Sequence, residues 1–475
     1  MTRAIGFPES RRARVLLCAV LAAAVALTLF LVVRWERSEG HRAQQIADSF
    51  RAMPGVASAH TDGDSGPRDL TVRLSSTASR IELQDVYDRR ENLPSDLIDR
   101  MTVTVGAVSS ELDDTLGGGS TDDVALQWAL RGMRGGSVEL SAYSQQVRLR
   151  ATKEPAVAVA REAVAALDIR GFQKVDLLVY GGDGTKVTVA KDVALPAAHA
   201  VLGDIAPFAP YLTDSSVYPG GVNLDLRAGH TDRMAKVAAT AQRAARRIRA
   251  AGDGDDDTYS FTVRDQGSGR MINGDPDTDL AASQRVTTTL EQKGWTVGSV
   301  QADLSGVAIK KESAAAANLP QLQRDLAALR PALPKNAVIT LSEPDQDRLN
   351  VFSGTMTELR RVTPKLMALE HAGYRIYWDI DGLSSDISVL LPKGAQLGPD
   401  SIREAGRRLR AIGWTGSATI VIQQRSRNDE DDYFPAYITF PSTDTGTAGQ
   451  LRVEPRDASI TVADATRAWN ASATK

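Results

Sequence analysis

Asp275-Pro276-Asp277-Thr278-Asp279 has the alternating carboxylate spacing with which a loop can wrap a calcium ion. Its sixth position, however, is Leu280 where the sharp turn needs glycine. Its twelfth is Val286 where a bidentate glutamate is needed. The stretch reads instead as a turn in which Asp277 or Asp279 caps a helix over 279–293. Gly181-Gly182-Asp183-Gly184-Thr185-Lys186 looks like a phosphate cradle, but it lacks the Gly-Lys-Ser/Thr order and runs into a strand pattern, Val187 to Ala190. It reads as a turn. His199, His230 and His371 stand singly on or beside predicted helices, so surface or helix-end roles fit better than ligation. Neither G-x-S-x-G nor H-E-x-x-H occurs. No metal and no cofactor is expected.

Two sets of residues stay in play. Asp379, Asp381 and Asp386 surround a predicted hairpin turn, where aspartate ordinarily serves the turn itself. Two such acids about 5–9 Å apart in a cleft would make a hydrolase, and an envelope hydrolase with a carboxylate site between modules is the alternative reading. Arg73, Arg148, Arg150 and Arg227 fall on the wet faces of predicted strands. They could face a ligand, as a shallow basic stripe for an anionic envelope polymer; plain solubility of an exposed sheet is the competing explanation. A second basic cluster, Arg243, Arg246, Arg247 and Arg249, precedes Asp253-Gly254-Asp255-Asp256-Asp257 and reads as a solvated helix face.

The elements that must position these residues are announced by a recurring corner. LEQKGW (290–295), LEHAGY (369–374) and LRAIGW (409–414) each end an amphipathic pattern with glycine and an aromatic, and ALDIRGF (166–172) is a looser cousin. Such a glycine ends a helix in the left-handed conformation without a Cβ clash. Gly171, Gly294, Gly373 and Gly413 are separated by 123, 79 and 40 residues, close to multiples of forty.

Filling the intervals gives the order helix, strand, strand, helix, strand five times over, in an α+β fold of tandem two-layer modules. The predicted divisions are 34–110, 111–182, 183–266, 267–345 and 346–424, with 425–475 as an irregular extension held off any central strand position by Pro435, Pro441 and Pro455. Val72-Arg73-Leu74, Val147-Arg148-Leu149 and Val222-Asn223-Leu224 alternate as a half-wet strand must.

Ahead of the modules, Val15 to Val33 is a run of 19 residues without a charge. As a helix it would span about 28 Å, against about 30 Å of bilayer hydrocarbon. Arg3, Arg11, Arg12 and Arg14 precede it, so residues 1–14 are expected in the cytoplasm and 15–33 in the lipid bilayer as a permanent signal-anchor. The rest would then lie outside a single-pass plasma-membrane protein. The only cysteine, Cys18, sits in this run, so no disulfide can form in the remainder. The net charge is −3, and the first 14 residues hold four arginines and one glutamate, leaving −6 for the rest; this speaks against nucleic acid.

Five units of helix–strand–strand–helix–strand order, over residues 41 to 424, resemble the BON domains of bacterial envelope proteins and the ring-building modules of secretion and sporulation complexes. The resemblance is one of topology and repeat length. It implies a non-enzymatic scaffold or binding protein in cell-envelope assembly or maintenance, with an envelope protein, a polymer or further copies of itself as partner.

Overall fold

The structure is a computed structural model and describes residues 25–28 and 39–473, apart from 63–67, 91, 95–96, 114–120, 134–135, 142–145, 152, 173–174, 253–258, 312–314, 330–332, 343–349, 381–384, 426–435 and 456–458. The chain divides into two compact units, Met1–Gly221 with Arg247–Asp255, and Val222–Arg246 with Asp256–Lys475.

The first unit opens with helix α1 (residues 39–51) and strands β1 (Val56–Asp62) and β2 (Arg68–Leu74). Helix α2 (Arg80–Arg90) leads to β3 (Ile98–Val105) and β4 (Val108–Asp113), and α3 (Thr121–Leu130) to β5 (Gly136–Ser141) and β6 (Gln146–Ala151). Then α4 (Ala156–Ile169) precedes β7 (Asp176–Tyr180) and β8 (Lys186–Val189), and α5 (Leu195–Ile205) precedes β9 (Leu212–Tyr218). Neighbours in sequence are neighbours in the sheet. The pairs β1–β2, β3–β4, β5–β6 and β7–β8 are antiparallel. The pairs β2–β3, β4–β5, β6–β7 and β8–β9 are parallel. Nine strands therefore form one ladder.

The second unit repeats the scheme. Strand β10 (Gly221–Leu226) and helix α6 (Met234–Ala250) come first, and the Gln266 amide donates to the Leu226 carbonyl at 3.1 Å just beyond β11 (Ser260–Asp265). There follow β12 (Met271–Gly274), α7 (Leu280–Gln292), β13 (Thr296–Gln301), β14 (Gly306–Lys310), α8 (Leu319–Ala328), β15 (Val338–Ser342) and β16 (Asn350–Thr355). After α9 (Met356–His371) come β17 (Arg375–Ile380), β18 (Ser385–Leu390), α10 (Pro399–Ile412), β19 (Ala418–Gln423), β20 (Tyr437–Ser442), β21 (Arg452–Glu454) and α11 (Val462–Ala471). Strands β11 to β20 alternate antiparallel and parallel pairings in sequence order, and β21 adds an antiparallel edge.

This corrects the expectation of separate two-layer modules. The repeating unit is one hairpin and one helix, about forty residues, and the sheet runs on within each unit. Strands β4, β12, β16 and β20 are the reason. Each pairs with the strand that was to close a module, and β4, β12 and β16 then run parallel to the first strand of the next. A module boundary would leave that row of peptide groups open, whereas a further hairpin satisfies it.

The expected membrane helix is also overturned. Among the described residues, no helix is long and apolar enough to cross a membrane. The described helices use their apolar stripes on the sheet: Val157, Ala160, Val164 and Leu167 of α4 are all buried. Of the run 15–33, only 25–28 are described, as one helical turn, and the remainder lies outside the described residues. The single-pass placement falls with it.

The corner prediction has a geometric basis. The Gly171, Gly294 and Gly373 amides donate to Asp168, Glu291 and Glu370 carbonyls at 2.9 Å, and the amides of Phe172, Trp295 and Tyr374 reach back to Leu167, Leu290 and Leu369 at 3.1–3.2 Å. With each glycine at φ +84, this is the paired closure that satisfies the last helical carbonyls. Gly413 differs, with one bond to Leu409 at 3.3 Å. There, Arg361 of α9 donates to the Ile412 and Gly413 carbonyls at 2.7 and 2.8 Å, and Lys365 to Ala411 and Ile412, so two cations one turn apart close the end of α10.

Contrary to the expected irregular extension, the described part of the tail beyond 425 is built into the second unit. Trp469 of α11 is fully buried, meets Phe440 of β20 edge-on at 4.8 Å and donates from Nε1 to Ser442 Oγ at 3.2 Å. Arg410 of α10 clasps it, donating to the carbonyls of Asp444 and Gly446 at 2.6 and 2.8 Å and to Ser472 Oγ at 3.0 Å, with its guanidinium 4.4 Å from the Trp469 ring centre. Gly406 permits the approach, since a Cβ there would lie 2.5 Å from Ser472 Oγ.

Candidate binding face

Alternation along each strand decides which side chains meet solvent. In β2, Leu70, Val72 and Leu74 are buried, while Asp69 and Arg73 are exposed. Register carries this across the first unit: Val72 stands beside Val103, Leu149 pairs with Val179, and Val187 pairs with Val179 from the other side. All are buried. Helices α3 and α4 lie on that side, against β4–β5 and β6–β8. The opposite face carries polar and charged residues.

On that open face, one row runs Arg150 (β6), Tyr180 (β7), Lys186 (β8), Asp214 (β9). The next runs Arg148, Leu178, Thr188, Ser216. Arg148 and Arg150 are exposed and Leu178 is half-buried. The Arg150 guanidinium carbon is 5.6 Å from the centre of the Tyr180 ring, and Lys186 Nζ is 3.4 Å from Asp214 Oδ2. Thus the structure brings together Arg148 and Arg150 of the four predicted arginines. Arg73 is on the same face four strands away, about 19 Å at the usual strand spacing, with Thr104 and Ser109 as successive neighbours in its row. Arg227 belongs to the second unit, half-buried just after β10. No uninterrupted basic stripe results, because Thr104 and Ser109 follow Arg73 in its row and Leu178 and Thr188 follow Arg148.

The sequence does not single out Tyr180, and it draws attention to Lys186 only as the end of the Gly181–Lys186 turn. Alternation through DLLVY would have placed Tyr180 on the wet face; its seating between Arg150 and Lys186 comes from the pairing of three strands.

In the second unit, Asp379 of β17 and Asp386 of β18 are directly opposite in the antiparallel register, flanked by Ser353 of β16 and Thr419 of β19. Both stand on the side away from the buried Ile376, Trp378 and Ile387. Asp381 lies outside the described residues. A small depression nearby is lined by Glu370, Arg375 and Tyr377 among others and includes neither aspartate. It is a structural feature: Glu370 there accepts from the amides of Ala316 and Ala317 at 3.2 and 2.9 Å.

The other candidates resolve into structural roles. Asp279 accepts from the Ala281 amide at 2.9 Å as the cap of α7, and Asp275 from the Asp277 amide at 2.7 Å. Thr185 closes the Gly181–Lys186 turn by donating to Asp183 at 2.6 Å. His199 lies in α5, His230 precedes a 3-10 turn and His371 ends α9. Among the described residues, no group of three or more His, Cys, Asp or Glu is placed to hold a metal ion. Arg246 and Arg247 find acids at Asp277 (3.5 Å) and Asp204 (2.6 Å), whereas the acidic stretch 253–257 lies outside the described residues.

Groups with displaced titration are likewise structural. Burial would raise the Asp265 carboxyl, but hydrogen bonds from Ser268 (2.6 Å), Thr231 and the Gly267 amide (3.1 Å) outweigh it and hold the group below the usual carboxylate range. Asp325 also lies below that range: burial opposes ionisation, and Trp295 Nε1 at 2.8 Å and Lys293 Nζ at 2.9 Å overcome it. Burial lowers Arg410, with the Asp444 charge acting the other way. Arg131 is lowered by burial and then by the Arg170 charge, and its guanidinium lies 3.5 Å from the Trp128 ring centre.

Compared with protein-family models, with curated proteins and with solved structures, the chain matches none.

Proposed function

We propose that this protein is a non-enzymatic binding scaffold whose recognition surface is the open face of its sheets. The observation that supports this most directly is the first unit's nine-strand ladder, with its apolar side chains on one side in register and Thr71, Thr102, Arg148, Tyr180 and Lys186 on the other. Eight strand spacings make a face about 38 Å across. An antiparallel pairing tolerates water on one of its faces, and repetition then extends a surface without any new catalytic chemistry.

The test is position-dependent crosslinking in cells. Photoreactive residues at Arg73 and Thr188, on the open face, should capture a partner; the same residue at Ile81 or Glu162, on the exposed sides of α2 and α4, should not. Capture from the helix positions alone would refute the assignment.

A second reading, a hydrolase, draws on one observation, the direct opposition of Asp379 and Asp386. It requires that replacing either acid abolish turnover of a substrate.

A further inference from the structure

Tyr180 is 39 % exposed, one of the few large hydrophobic side chains so placed among the described residues. It stands in the interior of a sheet, on a row with a cation on either side. Leu178, two residues back along the same strand, adds apolar surface between Arg148 and Thr188. The flat patch thus combines an aromatic ring, a half-buried leucine and three cations with hydrogen-bond acceptors at its rim.

We propose that the open face of β6, β7 and β8 binds an acidic polysaccharide, with a sugar ring packed on Tyr180 and its carboxylates held by Arg148, Arg150 and Lys186. This rests on the reading of the open face as the recognition surface and specifies its ligand. A sugar ring presents C–H groups that pack on an aromatic face, and hydroxyls that need acceptors. Asp214, at the end of the Tyr180 row, and Asp176, half-buried at the start of β7, supply carboxylate acceptors. Arginine suits the acid groups, because its planar fork meets a carboxylate with two parallel hydrogen bonds. The Lys186–Asp214 pair, with side chains 42 % and 33 % exposed, is a surface ion pair that a ligand anion can exchange at little cost.

Charge density selects among polyanions. Cations on β6 and β8 are two strands apart, about 10 Å, and acids stand between and beside them at Asp176 and Asp214. A nucleic acid, with a phosphate on every nucleotide, would meet these carboxylates as well as the cations. A polymer with sparse acids and many hydroxyls uses both.

The test uses the full chain with hyaluronate, which carries a carboxylate on every second sugar, neutral dextran and polyuridylate, read by isothermal titration. Hyaluronate should bind and dextran should not. Tyr180→Ala, and separately Arg148→Gln with Arg150→Gln, should each weaken binding by roughly tenfold or more, with circular dichroism unchanged. Ile81→Ser, on exposed α2, should leave it intact. Absence of hyaluronate binding overturns the proposal, as does binding of polyuridylate in its place or equal loss in Ile81→Ser. If open-face crosslinks capture a protein while hyaluronate does not bind, the ligand class falls and the scaffold reading stands.

Discussion

Tyr87 Oη donates to Gln127 Oε1 at 2.8 Å, joining α2 to α3 across forty residues of sequence, one full repeat. Gln127 is fully buried, and its amide nitrogen donates to the carbonyls of Val103 at 2.7 Å and Val108 at 3.3 Å, at the turn of the β3–β4 hairpin. One side chain therefore ties two successive helices to the strand pair between them. Replacing it by leucine leaves those carbonyls and the Tyr87 hydroxyl to find other partners inside the core. Gln127→Leu should destabilise by about 1–3 kcal/mol, and Tyr87→Phe in that background should cost less than Tyr87→Phe alone. Urea unfolding of the four proteins measures both; additive effects would show that the pair is not coupled.

The corner glycines should rank by surroundings. Gly171 and Gly294 have open space where a Cβ would stand, so alanine pays only for the left-handed backbone, about 1–2 kcal/mol. At Gly373 the added carbon meets Pro392 Cβ at 3.3 Å, and Gly373→Ala should be the most destabilising of the three. Equal shifts in denaturant midpoint would remove the steric part of this account.

Acid should weaken the second unit through Asp325 and Asp265. Both have folded-state pKa values below the ordinary carboxylate value. Each therefore contributes stability that is present above the unfolded-state pKa, near 3.9, and is lost as pH falls through the folded-state value. Asp325→Asn should lower stability at pH 7 and reduce the difference between pH 7 and pH 3, with Trp295 fluorescence reporting the local change. An unchanged pH difference would mean that the Trp295 and Lys293 contacts carry no linkage.

Asp379 and Asp386 place like charges directly opposite on neighbouring strands, an arrangement that costs about 0.2–1 kcal/mol. Asp386→Asn should raise the melting temperature slightly and leave binding at the β6–β8 patch unchanged. A fall in the melting temperature would show that the pair is satisfied in the fold; loss of a hydrolytic activity would favour the enzyme reading.

Releasing the clasp at Arg410 should free the C-terminal helix. Arg410→Ala removes donors from the Asp444 and Gly446 carbonyls and the cation over Trp469, and should destabilise by about 2–4 kcal/mol. Hydrogen exchange should then accelerate in α11 before β19. Simultaneous loss of protection in both would make α11 part of one cooperative core.

The sequence by itself determined the local structure. Glycine and an aromatic after an amphipathic stripe specify a helix end, because only that backbone closes the last carbonyls. Alternation in VRL, VNL and DLLVY specifies strands wet on one side. Even the forty-residue interval was visible in the glycine spacing. What the tertiary structure decided was how strands continue. Alternation shows which face a strand buries but not which strand lies beside it, so SSEL in β4, MING in β12 and NVFSGT in β16 passed as connections until pairing made them the seams of a ladder. The patch of Arg148, Arg150, Tyr180 and Lys186 has the same origin. Its members come from three strands and 39 residues of chain, and a hydrogen-bond register, not a sequence motif, sets them side by side.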